Sequence, residues 1–366
     1  MLKRVSIQNF KSLKDVTLDL QKVNLLIGPN NSGKTNFLKA LTKCNDLVKG
    51  GSVGTEDMFR KKPSQNLSLR LIFNEKPFEE IQGNFTHLIY RYLSENFTDE
   101  YKLYYGISDS LISEIQHTEF PSMRDSMQDF FSISSVYKPD PNKLDKPAPV
   151  GLGDDSVAAD ASNLIAFFDR IRDEYPESFA QIKADLAKCV PEFTEINFQN
   201  VPSTDELVKQ FGDKTFKRIG LTNGKQKTIY WADELSEGTL YFIALLCIIN
   251  QPNPPKLLLL EEPEKGIHPR RIEEVINFIF GLADEKDVQV IMTTHSPAVV
   301  DMFKDMPESV FIFDKDDEGA THVKNLQKDI IEPETEESTR LGIDPPRYLN
   351  GLGQAWKVGF LGGVPK

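Results

Sequence analysis

Between Leu2 and Leu20 apolar and polar residues alternate, with Leu2 to Ile7 and Val16 to Leu20 flanking Asn9-Phe10-Lys11-Ser12. Strict alternation is the period of a strand with one buried face, so the two stretches predict an antiparallel pair. The pattern then changes. Val23-Asn24-Leu25-Leu26-Ile27 is almost wholly apolar, and a run this short predicts a strand buried on both faces. Asn36 to Lys43 reads as a helix, and Leu67 to Phe73 alternates again as a strand. Residues 158–190 carry apolar positions at helical spacing, among them Leu164, Ile165, Phe167, Phe168 and Ile171, then Phe179, Ile182 and Leu186 beyond Pro176. They predict a small helical lobe. Strand character returns over residues 214–231, broken by the hairpin signal Asn223-Gly224. Helices are predicted over Leu235 to Ile249 and, with proline at its start, Pro269 to Leu282. Short buried strands are predicted over Leu257 to Leu260, Val288 to Met292 and Val310 to Phe313. The stretch from Asn74 to about Phe131 is polar and aromatic with no catalytic pattern, the proline-bearing segment from Tyr137 to Gly153 reads as an irregular connection, and Glu332 to Thr339 reads as an acidic linker.

The first buried strand runs into Gly28 to Thr35, reading GPNNSGKT. Gly28, Gly33, Lys34 and Thr35 satisfy the phosphate-loop pattern, in the strand–loop–helix setting that the pattern needs. Glycines let successive backbone N–H groups converge on phosphate oxygens, and the following helix start adds partial positive charge. Asn30, Asn31, Ser32, Gly33, Lys34 and Thr35 are therefore candidate ATP-binding residues. Lys34 would reach the β- and γ-phosphates, and the Thr35 hydroxyl would ligate Mg²⁺.

Three later segments belong with this loop. Leu257 to Leu260 ends in Glu261-Glu262, two carboxylates at the end of a buried strand, where ligands bind in open α/β sheets. Chemistry at a Mg-nucleotide needs one acid near the metal and one to orient or deprotonate the attacking water. Glu261 is assigned to the metal shell and Glu262 to the general base. Thr293-Thr294-His295-Ser296-Pro297 follows the next strand, and His295 there is a candidate γ-phosphate sensor. Leu235-Ser236-Glu237-Gly238-Thr239 opens a helix. Ser236 and Gly238 could form a second anion-binding surface, although Ser236 read alone is an ordinary helix N-cap.

The chain has 366 residues, 39% of them hydrophobic and 27% charged, which suits a globular protein with two or three subdomains. A net charge of -12 gives no global electrostatic case for nucleic acid, though a local basic patch stays open. Cys44, Cys189 and Cys247 lack metal-site spacing and are expected to be reduced. No signal peptide is visible, and the longest apolar run, Leu240 to Ile249, is too short to span a bilayer. The expectation is a soluble cytoplasmic protein with no membrane partner.

The order of these motifs resembles the ABC-type ATPases of the SMC, RecF and overcoming-lysogenization-defect (OLD) group. The matching pieces are Ile7 to Leu13, the phosphate loop, Leu235 to Thr239, Glu261-Glu262-Pro263-Glu264, Gly266-Ile267-His268-Pro269 and Thr294-His295-Ser296-Pro297. Tyr137 to Pro149, Ser162-Asn163-Leu164 and Gly351 to Pro365 further resemble stand-alone bacterial OLD-like ATPases. The resemblance implies an α/β P-loop fold of ABC type, with an N-terminal antiparallel β subdomain and an inserted helical lobe. It implies core segments at 1–75 and 211–330, an inserted lobe at 76–210 and a tail at 331–366. It also implies a head-to-tail homodimer or higher homo-oligomer, in which Ser236 and Gly238 meet the partner's γ-phosphate and Glu264 to Gly266 lie on the seam. Lys11, in the Asn9-Phe10-Lys11 element, joins the nucleotide-binding set on the same ground. The signature reads LSEGT where transporters carry a second glycine.

Two functions from different classes fit. One is the sensor or regulatory ATPase of a bacterial anti-phage system, acting through a separate nuclease or toxin effector. OLD nucleases add a Toprim module of about a hundred residues, and the stretch after His295 is expected to be too short for one. Asp314, Asp316 and Asp317 read as a polar hairpin turn before Gly319 rather than a metal site. The other function is a DNA-repair or recombination ATPase, which would call for a basic DNA-facing surface or long coiled coils. A transporter subunit is disfavoured by the Asn9-Phe10-Lys11 element and the paired glutamates.

Overall fold

The alternating N-terminal stretches fold as β1 (Leu2–Phe10) and β2 (Leu13–Asp19), an antiparallel pair in which Val5 faces Leu18 and Ile7 faces Val16. In this computed structural model the described residues are 1–48, 53–62, 66–73, 85–93, 98–108, 111–114, 135–151, 155–265 and 267–364, with backbone alone for 85–114. Gly266, Gly153, Pro365 and most of the aromatic stretch after Asn74 lie outside them. The wholly apolar run is β3 (Val23–Ile27), buried along its whole length. It feeds the phosphate loop and α1 (Lys34–Val48). Then come β4 (Leu67–Phe73), β5 (Phe85–Leu93), β6 (Thr98–Ser108) and β7 (Leu111–Glu114).

The middle of the chain holds β8 (Val136–Tyr137), α2 (Pro141–Leu144), β9 (Ala148–Val150), α3 (Leu164–Glu174) and α4 (Pro176–Cys189). Pro176 sits in the first turn of α4, where its missing N–H costs nothing, so it separates two helices instead of breaking one. β10 (Phe193–Val201), α5 (Asp205–Phe211), β11 (Thr215–Asn223), β12 (Ile229–Trp231) and α6 (Glu237–Ile249) follow. Last come β13 (Leu257–Glu261), α7 (Pro269–Glu285), β14 (Gln289–Thr293), α8 (Pro297–Asp301), β15 (Val310–Lys315), β16 (Thr321–Asn325), α9 (Glu332–Leu341) and α10 (Leu352–Lys357).

These elements form two compact units. The first comprises Met1–Val136, Lys256–Glu262 and Leu282–Lys366. Its antiparallel sheet runs β2-β1-β4-β5-β6-β7, and its second sheet contains the order β16-β15-β3-β14-β13. In the second sheet β3, β13, β14 and β15 are parallel, and β16 runs antiparallel to β15. Glu261 therefore stands level with Thr293, and Thr293 with Leu26, so four strand ends open on one edge. Phe10, Leu13, Leu38, Leu41, Leu69 and Leu259 belong to the buried cluster of this unit. Phe37 of α1 meets Phe313 of β15 edge-on at 6.0 Å. Each such buried side chain contributes about 1.5–3 kcal/mol relative to exposure.

The second unit comprises Tyr137–Pro255 and Pro263–Gly281. Its sheet runs β10-β11-β12, with β9 on β11. Phe168 packs edge-on against Phe179 and Phe198, gathering α3, α4 and β10. α6 is buried from Gly238 to Ile249, as an all-round apolar helix must be. The segment expected as an acidic linker is instead the helix α9. Pro333 and the acids Glu332 and Glu334 occupy its first turn, Arg340 its last, and Gly342 ends it in the left-handed region (φ 67°). Each of these favours a helix with defined ends, so its polarity marks a solvated face rather than a linker.

Candidate nucleotide site at the strand ends

The phosphate loop turns on backbone that only glycine tolerates at two points. Gly28 has φ 145°, and a Cβ there would lie 2.2 Å from the Phe313 carbonyl oxygen. Gly33 has φ 110°, and its Cβ would lie 2.2 Å from Thr321 Oγ1. A linked set of side chains backs the loop: Thr321 Oγ1 donates to the Ser32 carbonyl at 2.9 Å and lies 2.8 Å from Ser12 Oγ. Asn36 Nδ2 donates to the same Ser12 hydroxyl at 2.8 Å. Ser12 comes from the turn between β1 and β2, and Thr321 from β16, so two distant hairpins hold one loop.

Inside the loop, Lys34 is buried, and its Nζ donates to the carbonyls of Gly28 at 2.7 Å and Pro29 at 2.9 Å. Burial pulls its pKa down to about 8, against the opposing pull of Glu262 and Glu261. Thr35 Oγ1 donates to Glu261 Oε1 at 3.0 Å, pairing two hard oxygen donors of the kind Mg²⁺ prefers. Glu262 departs from the strand with φ 50°. Its N–H donates to the Thr293 carbonyl at 3.1 Å and Thr293 Oγ1 at 3.3 Å. That left-handed turn, costly for a side-chain-bearing residue, separates the two acids: Glu261 meets Thr35, while Glu262 Oε1 lies 3.7 Å from His295 Nε2.

His295 is exposed on the loop after β14, and the Thr294 N–H anchors that loop to the Leu26 carbonyl at 3.2 Å. Burial first and the Lys34 cation second lower the His295 pKa, outweighing Glu262 and Glu261. The imidazole is thus neutral near pH 7, with one nitrogen to donate and one to accept.

Asn30 and Asn31 are exposed, and Asn31 Oδ1 accepts from Lys315 Nζ at 3.1 Å. The Ser32 hydroxyl is buried with no hydrogen-bond partner among the described residues, an orphan donor inside an anion cradle. Lys11 is held by the Glu56 carbonyl at 3.2 Å and Asp57 at 3.3 Å. Burial alone would raise the Asp57 carboxyl, but Lys43, the Gly54 N–H and Lys11 hold it below its usual value. Ser236 and Gly238 lie in the second unit, where Ser236 Oγ caps α6 by accepting from the Thr239 N–H at 3.2 Å. Asp316 closes the β15–β16 hairpin, accepting from the Ala320 N–H at 2.8 Å and from His322 at 2.9 Å. Among the described residues no cluster of three or more acids, histidines or cysteines is placed to hold a metal. No helix among them is long and apolar enough to cross a membrane.

Sequence reasoning did not single out Ser12, Asn36 or Thr321 as supports of the loop. Ser12 and Thr321 are 309 positions apart, and no local pattern couples them.

Comparisons with known proteins bear on the family and the fold. Residues 23–301 match the family model described as "AAA domain, putative AbiEii toxin, Type IV TA system". The Old nuclease of Escherichia phage P2 is 22% identical over 361 residues, covering 82% of this chain and 57% of its own length. The OLD nuclease of Thermus scotoductus is 44% identical over 50 residues, 14% of this chain and 9% of that protein. The chain thus spans little more than half of the longer match. A solved Smc head domain from Pyrococcus furiosus superposes with a TM-score of 0.56 at 15% identity, covering 93% of this chain and 99% of that one. That likeness establishes the fold: an α/β P-loop architecture of ABC type. The chain belongs to the family of that model, an AAA domain carried on an α/β P-loop fold.

Proposed function

We propose that Lys34, Thr35, Glu261, Glu262 and His295 form the hydrolytic centre of an ATPase that dimerises to turn over ATP. The observation that carries this reading is the divergence of the paired acids. Glu261 is hydrogen-bonded to Thr35, and Glu262 is turned toward a neutral His295. Thr35 and Glu261 would hold Mg²⁺, which when bound neutralises charge on the β- and γ-phosphate oxygens. Lys34 binds the phosphates by charge, and the backbone N–H groups of residues 31–35 orient them. Glu262 accepts the proton of the attacking water at a carboxylate oxygen. His295 donates to or accepts from the γ-phosphate side without carrying charge.

The start of α6, exposed at Ser236 and buried at Gly238, would be the surface that a second copy's nucleotide meets. On this reading the chain is the sensor or regulatory ATPase of a cytoplasmic anti-phage system. It would act through a separate effector protein, in keeping with the toxin–antitoxin description of its family. The test is Glu262→Gln, which keeps size and hydrogen bonding but cannot take a proton. ATP turnover should fall about a hundredfold or more, while sedimentation with ATP and Mg²⁺ shows dimer accumulating. Normal turnover by this variant would remove Glu262 from the base role.

A further inference from the structure

A segment outside every nucleotide motif touches both loops that carry the site. α10 begins against α8, the helix that starts two residues after His295. Gly353 makes the contact: a Cβ there would lie 2.1 Å from the Pro297 carbonyl oxygen and 2.9 Å from Asp301 Oδ2. Its N–H donates to Asp301 Oδ1 at 2.7 Å. The chain then leaves α10 through Gly359 (φ 87°), with the Phe360 N–H bonded back to the Ala355 carbonyl at 3.0 Å. It reaches Gly362 and Gly363, both left-handed at φ 74° and 62°.

At Gly363 a Cβ would sit 2.6 Å from Ile312 Cγ2, 3.3 Å from the Phe313 carbonyl oxygen and 3.6 Å from Gly28 Cα. That Phe313 carbonyl is the one that crowds Gly28. The Trp356 indole ties the two ends together, donating from Nε1 to the Gly363 carbonyl at 3.1 Å. The bond is buried, where leaving the indole N–H unpaired would cost about 1–3 kcal/mol.

We propose that residues 353–363 are a positioning strap for ATP hydrolysis. The Gly353 end sets His295 through α8, and the Gly363 end seats the entrance of the phosphate loop at Gly28. The inference rests on the ATPase reading and adds residues that the nucleotide motifs do not contain. Its two ends act on different quantities. A methyl group at Gly353 forces α8 back by about an ångström, and misplacement on that scale costs up to about a hundredfold in rate. A methyl group at Gly363 strains a left-handed turn and pushes on the strand beside Gly28, which disturbs the phosphate cradle before any chemistry.

The experiment compares ATP affinity, kcat with Mg²⁺ and Tm for the full chain and its variants. Gly353→Ala should lower kcat about tenfold or more, with ATP affinity within about twofold of wild type. Gly363→Ala should weaken ATP binding about fivefold or more, with kcat at saturation within about threefold. Trp356→Phe keeps the ring packing, loses the Gly363 bond, and should follow Gly363→Ala more weakly. If either glycine variant fails to fold, Asp301→Ala, which removes the acceptor of the Gly353 N–H, and Trp356→Phe read the same split. Equal losses of kcat and affinity tracking a fall in Tm, or no change in either, would overturn the strap. Absence of turnover in wild type would instead strike the ATPase reading itself.

Discussion

Two helix starts in this chain are proposed here to meet phosphate, and they are built on opposite plans. α1 begins within the phosphate loop, where Lys34 brings a buried cation and Thr35 is already joined to Glu261. α6 begins at Ser236, whose hydroxyl serves Thr239, and its first turn carries the acid Glu237. The first start has a lysine, a Thr35–Glu261 oxygen pair and the proposed base Glu262 within one unit. The second has a hydroxyl, a glycine and a residue that repels phosphate. A helix N-terminus alone offers an anion about 0.3–1 kcal/mol at an exposed site, so the second start suits completing a site rather than founding one.

That contrast can be broken most sharply at Lys34. Lys34→Ala should abolish turnover, at least about a thousandfold, and remove most ATP affinity. ATP affinity and hydrolysis within twofold of wild type would show that the charge in α1 is dispensable and the contrast empty. A smaller effect is expected at the other start. Ser236→Arg should leave ATP affinity within about twofold and reduce turnover about tenfold, with loss of its steep dependence on protein concentration. Equal damage to binding and turnover would place Ser236 in the founding site after all.

The smallest effect sharpens the role of burial. Lys34 titrates at about 8, so the cation is present at pH 7 and largely lost at pH 9. If bound phosphates hold it protonated, ATP affinity should fall about tenfold between pH 7 and pH 9. Stability moves the other way. Between about 8 and the ordinary lysine value near 10.5 the unfolded chain binds more protons at this position, so its destabilising contribution is relieved as pH rises. Isothermal titration and thermal melts across that range should therefore show opposite slopes, and a flat affinity profile would remove Lys34 from charge recognition.

What the sequence made legible depended on how local the determinant is. The apolar run before Gly28 and the proline at the start of α7 are written in adjacent residues, and both appear as read. Glu261 and Glu262 were legible as a pair, but their separation depends on a left-handed turn at Glu262 pinned by Thr293, which no pattern in β13 encodes. Glu332 to Thr339 looked like a linker because polarity was read without its end signals. The Ser12–Thr321 contact and the Gly363–Gly28 approach join residues hundreds of positions apart, where periodicity carries no information.

The strand that feeds the phosphate loop pairs with β14 and β15, which lie near the other end of the sequence. The glycine cradle cannot acquire its neighbours until β15 has emerged from the ribosome. At ordinary synthesis rates that interval is roughly fifteen seconds to a minute. During it β3, with five consecutive buried positions, is an unpaired apolar edge in a nascent chain. Long-range parallel pairing of this kind is slow and exposed to aggregation, so this chain is expected to burden chaperones during translation and to bind no nucleotide until β15 has been made.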